Sequence, residues 1–232
     1  MKKQYLFSLL LYALVISANE PFDTIKPETA TLQMDSGKMN IKMEKTSENN
    51  WKIESFIKVG GGIFSRTEQA VFAVNKRSIK PLIWSRKERI LFNKKNYLVT
   101  FDWDNSKIIF DEDGDKGTII LLPDYLGPAT GPLLLRLKLR EAGLNNLPNE
   151  IVNNVYFKGE IKRRTFSVHD LEIVTTPLGE FEAIKVARVR SDEDPREQIF
   201  WFAPALDFSL IKIINDDGKQ KRELIISAYN SN

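Results

Sequence analysis

From Met39 onward the chain runs in short alternations of apolar and polar residues, cut by Asn, Asp and Gly. That two-residue period predicts antiparallel strands joined by tight turns. Residues 38–45 and 51–59 flank Asn49-Asn50 as a hairpin whose apolar face carries Trp51, Ile53, Ile57 and Val59. Asp104-Asn105 separates 98–103 from 107–110, and Asp113-Gly114 precedes 118–122. Pro177-Leu178-Gly179 joins 171–174 to 181–190, and Asp217-Gly218 joins 209–214 to 222–228. Gly60-Gly61-Gly62 lies between two strand-like runs and reads as a turn or bulge. A phosphate-cradling loop would need a helix after the glycines, and Ile63-Phe64-Ser65-Arg66 continues as a strand.

The period changes once. Over 131–142 Leu133 with Leu137, and Leu135 with Leu139, fall at helical spacing; Pro132 sits in the first turn and Gly143 is placed to end the helix. Arg136 and Arg140 share another stripe, which is expected to be the side that meets water. The fold expected is mostly β: a single antiparallel domain over 37–232, a strongly curved sheet or incomplete barrel with one packed helix. Residues 19–36 read as a polar, loosely ordered lead-in.

The N-terminus adds an address. Lys2 and Lys3 precede an uncharged apolar run of about a dozen residues, 5–16, and the small pair Ser17-Ala18, the layout of a cleaved secretory signal over 1–18. The run is short for a membrane span. A periplasmic or secreted product with no stable membrane span after cleavage is expected. Losing Lys2 and Lys3 lowers the formal charge from +3 to +1, too small a surplus to drive nucleic-acid binding. The absence of cysteine excludes disulfides, thiol nucleophiles, Cys-based metal sites and a lipoprotein anchor.

Candidate chemistry is sparse. His169 is the one histidine, so no two-histidine metal site can form within one chain, and no Gly-x-Ser-x-Gly elbow accompanies it. Asp111-Glu112-Asp113-Gly114-Asp115 invites calcium, but an EF-hand register would need glycine where Lys116 stands and glutamate where Leu122 stands. A solvated turn is the expectation. Arg86-Lys87-Glu88-Arg89 and Lys162-Arg163-Arg164 suit either charged strand faces or anionic lipid headgroups. Trp84, Phe101, Trp103, Phe200, Trp201 and Phe202 are the candidate ligand-binding residues: they line a barrel cavity wide enough for an acyl chain, or else fill a core.

A resemblance rests on several segments taken in order. These are 61–66 (GGIFSR), 79–82 (IKPL), 101–103 (FDW), Leu122-Pro123-Asp124 leading to Gly131-Pro132-Leu133, 176–186 (TPLGEFEAIKV), and Trp201-Phe202-Ala203-Pro204 followed by Asp217-Gly218. With these the chain resembles an exported bacterial family, domain of unknown function 3108. Where that family usually shows a second proline step, this chain has Asp207-Phe208-Ser209-Leu210. The resemblance implies an envelope location and a β-rich fold, and brings no catalytic residues. The function expected is that of a non-catalytic periplasmic binding or carrier-type protein for an apolar or lipid-like ligand, with no cofactor and no metal. The alternative is an envelope structural or interaction factor that engages a protein partner through an exposed strand edge.

Overall fold

The computed structural model describes residues 25–47, 49–75, 78–191 and 193–231. The expected signal segment, 1–18, lies outside the described residues. Fifteen strands form one sheet. They are β1 (Glu28–Met34), β2 (Gly37–Lys45), β3 (Asn50–Val59), β4 (Phe64–Asn75), β5 (Ser78–Ile90), β6 (Asn93–Asp102), β7 (Lys107–Glu112), β8 (Asp115–Ile120), β9 (Tyr125–Leu126), β10 (Glu150–Phe157), β11 (Glu160–Thr176), β12 (Gly179–Arg188), β13 (Glu197–Ala203), β14 (Ser209–Asp216) and β15 (Lys221–Ser231). One α-helix among the described residues, α1 (Gly131–Ala142), interrupts them. The expected turns fall where the Asn, Asp, Gly and Pro residues stand; at Asp113-Gly114 both residues have positive φ, 60° and 96°, as a two-residue hairpin requires.

Three expectations need correction. The segment 19–36 is not a loose lead-in throughout, because Glu28–Met34 forms β1, which pairs with β2 on one side and β15 on the other and has seven strands on each side of it. Its composition is polar, but Ala30 and Leu32 alternate with Thr29 and Thr31, and Leu32 is fully buried. The sheet is not purely antiparallel: β9 runs parallel to β10. The chain between them is α1, and a crossover through a helix returns the backbone in the same direction. Finally, Arg136 does not face water. It is 7% exposed, donates to Glu28 Oε1 at 2.7 Å, and places Nε 2.9 Å and Nη2 3.1 Å from the Asp207 carbonyl and carboxylate. Arg140 also reaches Asp207, at 2.7 Å.

The sheet is not closed by hydrogen bonds, since β8 and β9 are its two ends. Side chains draw those ends together. Tyr156 of β10 lies edge-on to Phe101 of β6 at 6.4 Å and beside Phe110 of β7 at 6.0 Å. Gly117 of β8, opposite Phe110, has no room for a Cβ, which would meet that ring at 2.4 Å. Helix α1 lies on the inner side of the curl. Leu133 and Leu137 pack with Met43, Trp51, Phe72 and Ile79 of β2–β5, whereas Leu135 and Leu139 pack with Ile151, Phe166, Ile184 and Phe202 of β10–β13. One helix therefore fills the gap between two halves of the sheet, each buried leucine contributing on the order of 2 kcal/mol. A further cluster on the opposite face of β13 joins Val174 and Ala183 of the β11–β12 hairpin to Trp201, Ile211 and Ile226.

Replacing Arg136 by Met leaves the largely buried Glu28 carboxylate without its cation, held only by the hydroxyls of Ser209 and Tyr229. The expected loss is about 3 kcal/mol of unfolding free energy in urea titrations. Adding Glu28→Gln to that variant should recover part of it, because the uncompensated charge is removed.

Candidate functional site

The six aromatic residues proposed from sequence are not brought into one cavity. Trp84 and Phe101 are buried with Val99, Ile108 and Tyr156, and Trp103 packs against the same cluster. Phe200 and Phe202 belong to the cluster beneath α1, and Trp201, the residue between them, is buried in the cluster on the opposite face of the sheet. The indole nitrogens are satisfied within the protein: Trp84 donates to Glu68, Trp103 to the Pro81 carbonyl, and Trp201 to Glu172. Alternation along β13 is the cause, since Phe200 and Phe202 point to one face and Trp201 to the other.

Strand pairing assembles a different site. Register places Asn153 opposite Arg164, and Phe166 opposite Arg188. The bond from Val189 N–H to the Thr165 carbonyl extends that pairing, which sets Arg190 across from Arg164. Arg188 in turn neighbours Gln198 on β13. All five side chains lie on the face that carries Ile151 and Phe166 against α1. Asn153 is 5% exposed, and neither its oxygen nor its nitrogen has a hydrogen-bond partner. Buried nitrogens Nε of Arg164 and Arg190, and Oε1 of Gln198, are likewise unpartnered.

Charge repulsion marks the same place. Burial lowers the Arg164 pKa, and the nearby Arg190 lowers it further. Burial together with Arg164, Arg190 and Arg196 pushes Arg188 down to about 10, against a smaller opposing effect of Asp194. Asp194 bridges Arg190 at 3.0 Å and Arg196 at 2.6 Å, which holds its carboxyl well below the usual range, chiefly through the Arg196 bond. Arg164 and Arg188 have no ion pair among the described residues; the Arg164 guanidinium lies 5.7 Å from the ring of half-exposed Phe157. A patch of fixed positive charge, partly desolvated and furnished with free donors, is suited to a carboxylate or a phosphate.

The family model for a protein of unknown function, DUF3108, matches residues 24–224. This chain belongs to the DUF3108 family. The DUF3108 chain is similar in fold to a β-barrel-like protein of another domain of unknown function, DUF1849, from Brucella abortus: the TM-score is 0.56 at 10% identity, over 90% of this chain and 98% of the other. A protein from Parabacteroides distasonis proposed to be a lipoprotein also aligns over 91% of this chain and 99% of its own, at 11% identity and a TM-score of 0.31. No curated protein matches the chain.

The other candidates from sequence take their places in the DUF3108 structure as follows. In the Asp111–Asp115 turn Asp111 accepts from Gly114 N–H and pairs with Lys116, while Asp113 pairs with Lys95. These carboxylates are already engaged by lysines, as a solvated turn would have them. Among the described residues no group of three or more His, Asp or Glu side chains is placed to hold a metal ion. His169 is exposed, its Nε2 3.0 Å from Ser167 Oγ, and Ser167 also donates to the Ala187 carbonyl. No carboxylate hydrogen-bonds the imidazole among the described residues. Of the basic cluster Lys162-Arg163-Arg164 only Arg164 enters the arginine site. Sequence reading missed its partners Asn153, Arg188 and Arg190; the alternation Arg188-Val189-Arg190 at a strand end was the available signal.

Replacing Asn153 by Leu removes a buried amide that has no partner and keeps the branching and number of heavy atoms. Stability should rise by about 1 kcal/mol in thermal or urea unfolding, the opposite sign from a polar group that serves the fold.

Proposed function

We propose that this chain is a non-catalytic, carrier-type binding protein of the bacterial envelope whose ligand carries a carboxylate or a phosphate. The observation that supports this reading is the buried, unpartnered Asn153 amide beside the mutually repelling Arg164, Arg188 and Arg190. Such an arrangement costs the free protein stability and is relieved when an anion arrives, a cost that a purely structural cluster would have no reason to keep. The aromatic residues fill cores, so an apolar or lipid-like part of the ligand has Phe157 and the surface around it, not an enclosed chamber. The envelope location rests on the secretory layout of residues 1–18.

Inorganic phosphate and octanoate serve as the two probes. Saturable thermal stabilisation by one of them, lost in Arg164→Gln/Arg188→Gln, is the expected result and names the anion class. No stabilisation of the natural chain by either, together with a clean apo mass for protein taken from its host envelope, would sink the proposal.

A second reading has its own observation. β8 ends the sheet, and the two-residue turn at Asp113-Gly114 fixes which of its residues bond to β7, so the N–H and C=O groups of Lys116, Thr118 and Ile120 point outward. Exposed Ile109 and Leu98 line a shallow depression of about 460 Å³, and exposed Ile120 follows Thr118 along the same edge strand. This edge offers a partner protein β-augmentation. Thr118→Pro, which blocks the edge without touching β7 pairing, should abolish stoichiometric capture of an envelope protein; unchanged capture would dismiss the reading.

A further inference from the structure

The β5–β6 hairpin ends in Leu91-Phe92, between the paired residues Ile90 and Asn93. Two-residue hairpin turns favour Gly, Asn or Asp, because a central residue must take positive φ. Leu91 takes it, at 53°. Phe92 is 94% exposed, Leu91 55% and Ile90 46%. The neighbouring β3–β4 turn adds Ile63, 58% exposed, and is tied to the first by Leu91 N–H donating to the Ile63 carbonyl at 2.8 Å. Four large apolar side chains thus form one projecting tip on two fastened hairpins, where local turn chemistry would have chosen small polar residues.

Behind the tip the charge has one sign. Cross-strand register aligns Lys58, Ser65, Arg89 and Lys94 in a single row on one face, with Lys87 a step further back on that face. None of Lys58, Arg89, Lys94 and Lys87 has an ion pair among the described residues. Glu88, the carboxylate in this stretch of β5, points to the other face, where Arg66 and Arg86 hold it. An apolar point with a basic collar fits an interface that is apolar within and negative at its surface. A folded protein partner would have to supply both an apolar socket and an acidic rim, whereas an anionic bilayer presents that combination everywhere.

We infer that the Ile63 and Ile90-Leu91-Phe92 tip docks this protein onto the surface of an anionic lipid bilayer, the tip entering the headgroup boundary and Lys58, Arg89 and Lys94 facing the lipid phosphates. This inference is independent of the arginine site and of its ligand.

The test uses the full chain purified from its host, with vesicles of phosphatidylethanolamine and phosphatidylglycerol, and of phosphatidylcholine alone. Sedimentation should show binding to the anionic vesicles that falls with added salt. Phe92→Ser, and separately Arg89→Glu/Lys94→Glu, should each weaken partitioning roughly tenfold or more at an unchanged melting temperature. Because these variants keep the N-terminus, any contribution of residues 1–18 is common to all. In Phe92→Trp, three brominated lipids of different bromine depth should quench the new indole most strongly near the headgroup boundary. Equal binding by Phe92→Ser, or emission from the introduced indole that is indifferent to vesicles, would overturn the inference. So would oligomerisation without lipid that Phe92→Ser abolishes, since the tip would then be a contact between copies.

Discussion

The guanidinium of Arg136 sits where water scarcely reaches, and elements remote from one another in the chain supply what its charge needs. Glu28 comes from β1, Asp207 from the turn before β14, and the Glu28 carboxylate is held in addition by the hydroxyls of Ser209 and Tyr229. Burial alone would lower the Arg136 pKa; its carboxylate neighbours more than reverse that, and the group remains charged. A buried charge tolerates few positions, so this network fixes where α1 lies along the inner side of the sheet. The two leucine pairs of α1 then separate the cores on either side of it. Apolar packing supplies the bulk of the stabilisation, but apolar packing alone is indifferent to small slides of a helix, and the ion network is not.

That network also explains what sequence reading missed. Two arginines four residues apart on a helix look like a solvent stripe, because partners more than sixty residues away in the chain are invisible to periodicity. Asp207 makes the same point: it takes positive φ, 53°, just where the family pattern lapses, and that bend delivers its carbonyl and carboxylate to Arg136 and Arg140. By contrast, β2–β3, β7–β8, β11–β12 and β14–β15 were legible as hairpins, since each turn carries its own local chemistry in two or three residues. β1 was hidden by threonines and charges around a short apolar alternation. β9 was hidden by being two residues long and by owing its direction to the helix after it.

The candidate site follows the same division. Aromatic residues could be counted in the sequence, but the strand period decides that Phe200 and Trp201 face opposite ways, and the barrel-like curl decides that Phe101 meets Tyr156. Rings that looked like one lining became parts of three packed clusters. The arginine site arises from long-range register: residues 153, 164, 188 and 190 converge because three strands pair, and nothing in the local sequence distinguishes Arg164 from Arg163, which the pleat sends to the other face.

Two hairpins next to each other in the sheet show how a local rule, once broken, carries information. At β7–β8 the turn is Asp113-Gly114, a pair that accepts positive φ readily, and its carboxylate bonds a neighbouring lysine. At β5–β6 the turn is Leu91-Phe92, which strains one residue and exposes two large apolar side chains to water. Neither cost improves the fold, because an Asn-Gly pair would close the same two-residue loop with less strain. Asn153 poses the same question from the interior, where a leucine would pack better than an amide with no partner. In both places the free protein is less stable than its own backbone permits. Interactions that the folded chain cannot supply to itself, an anion for the arginines and an interface for the apolar tip, are what would make those residues favourable.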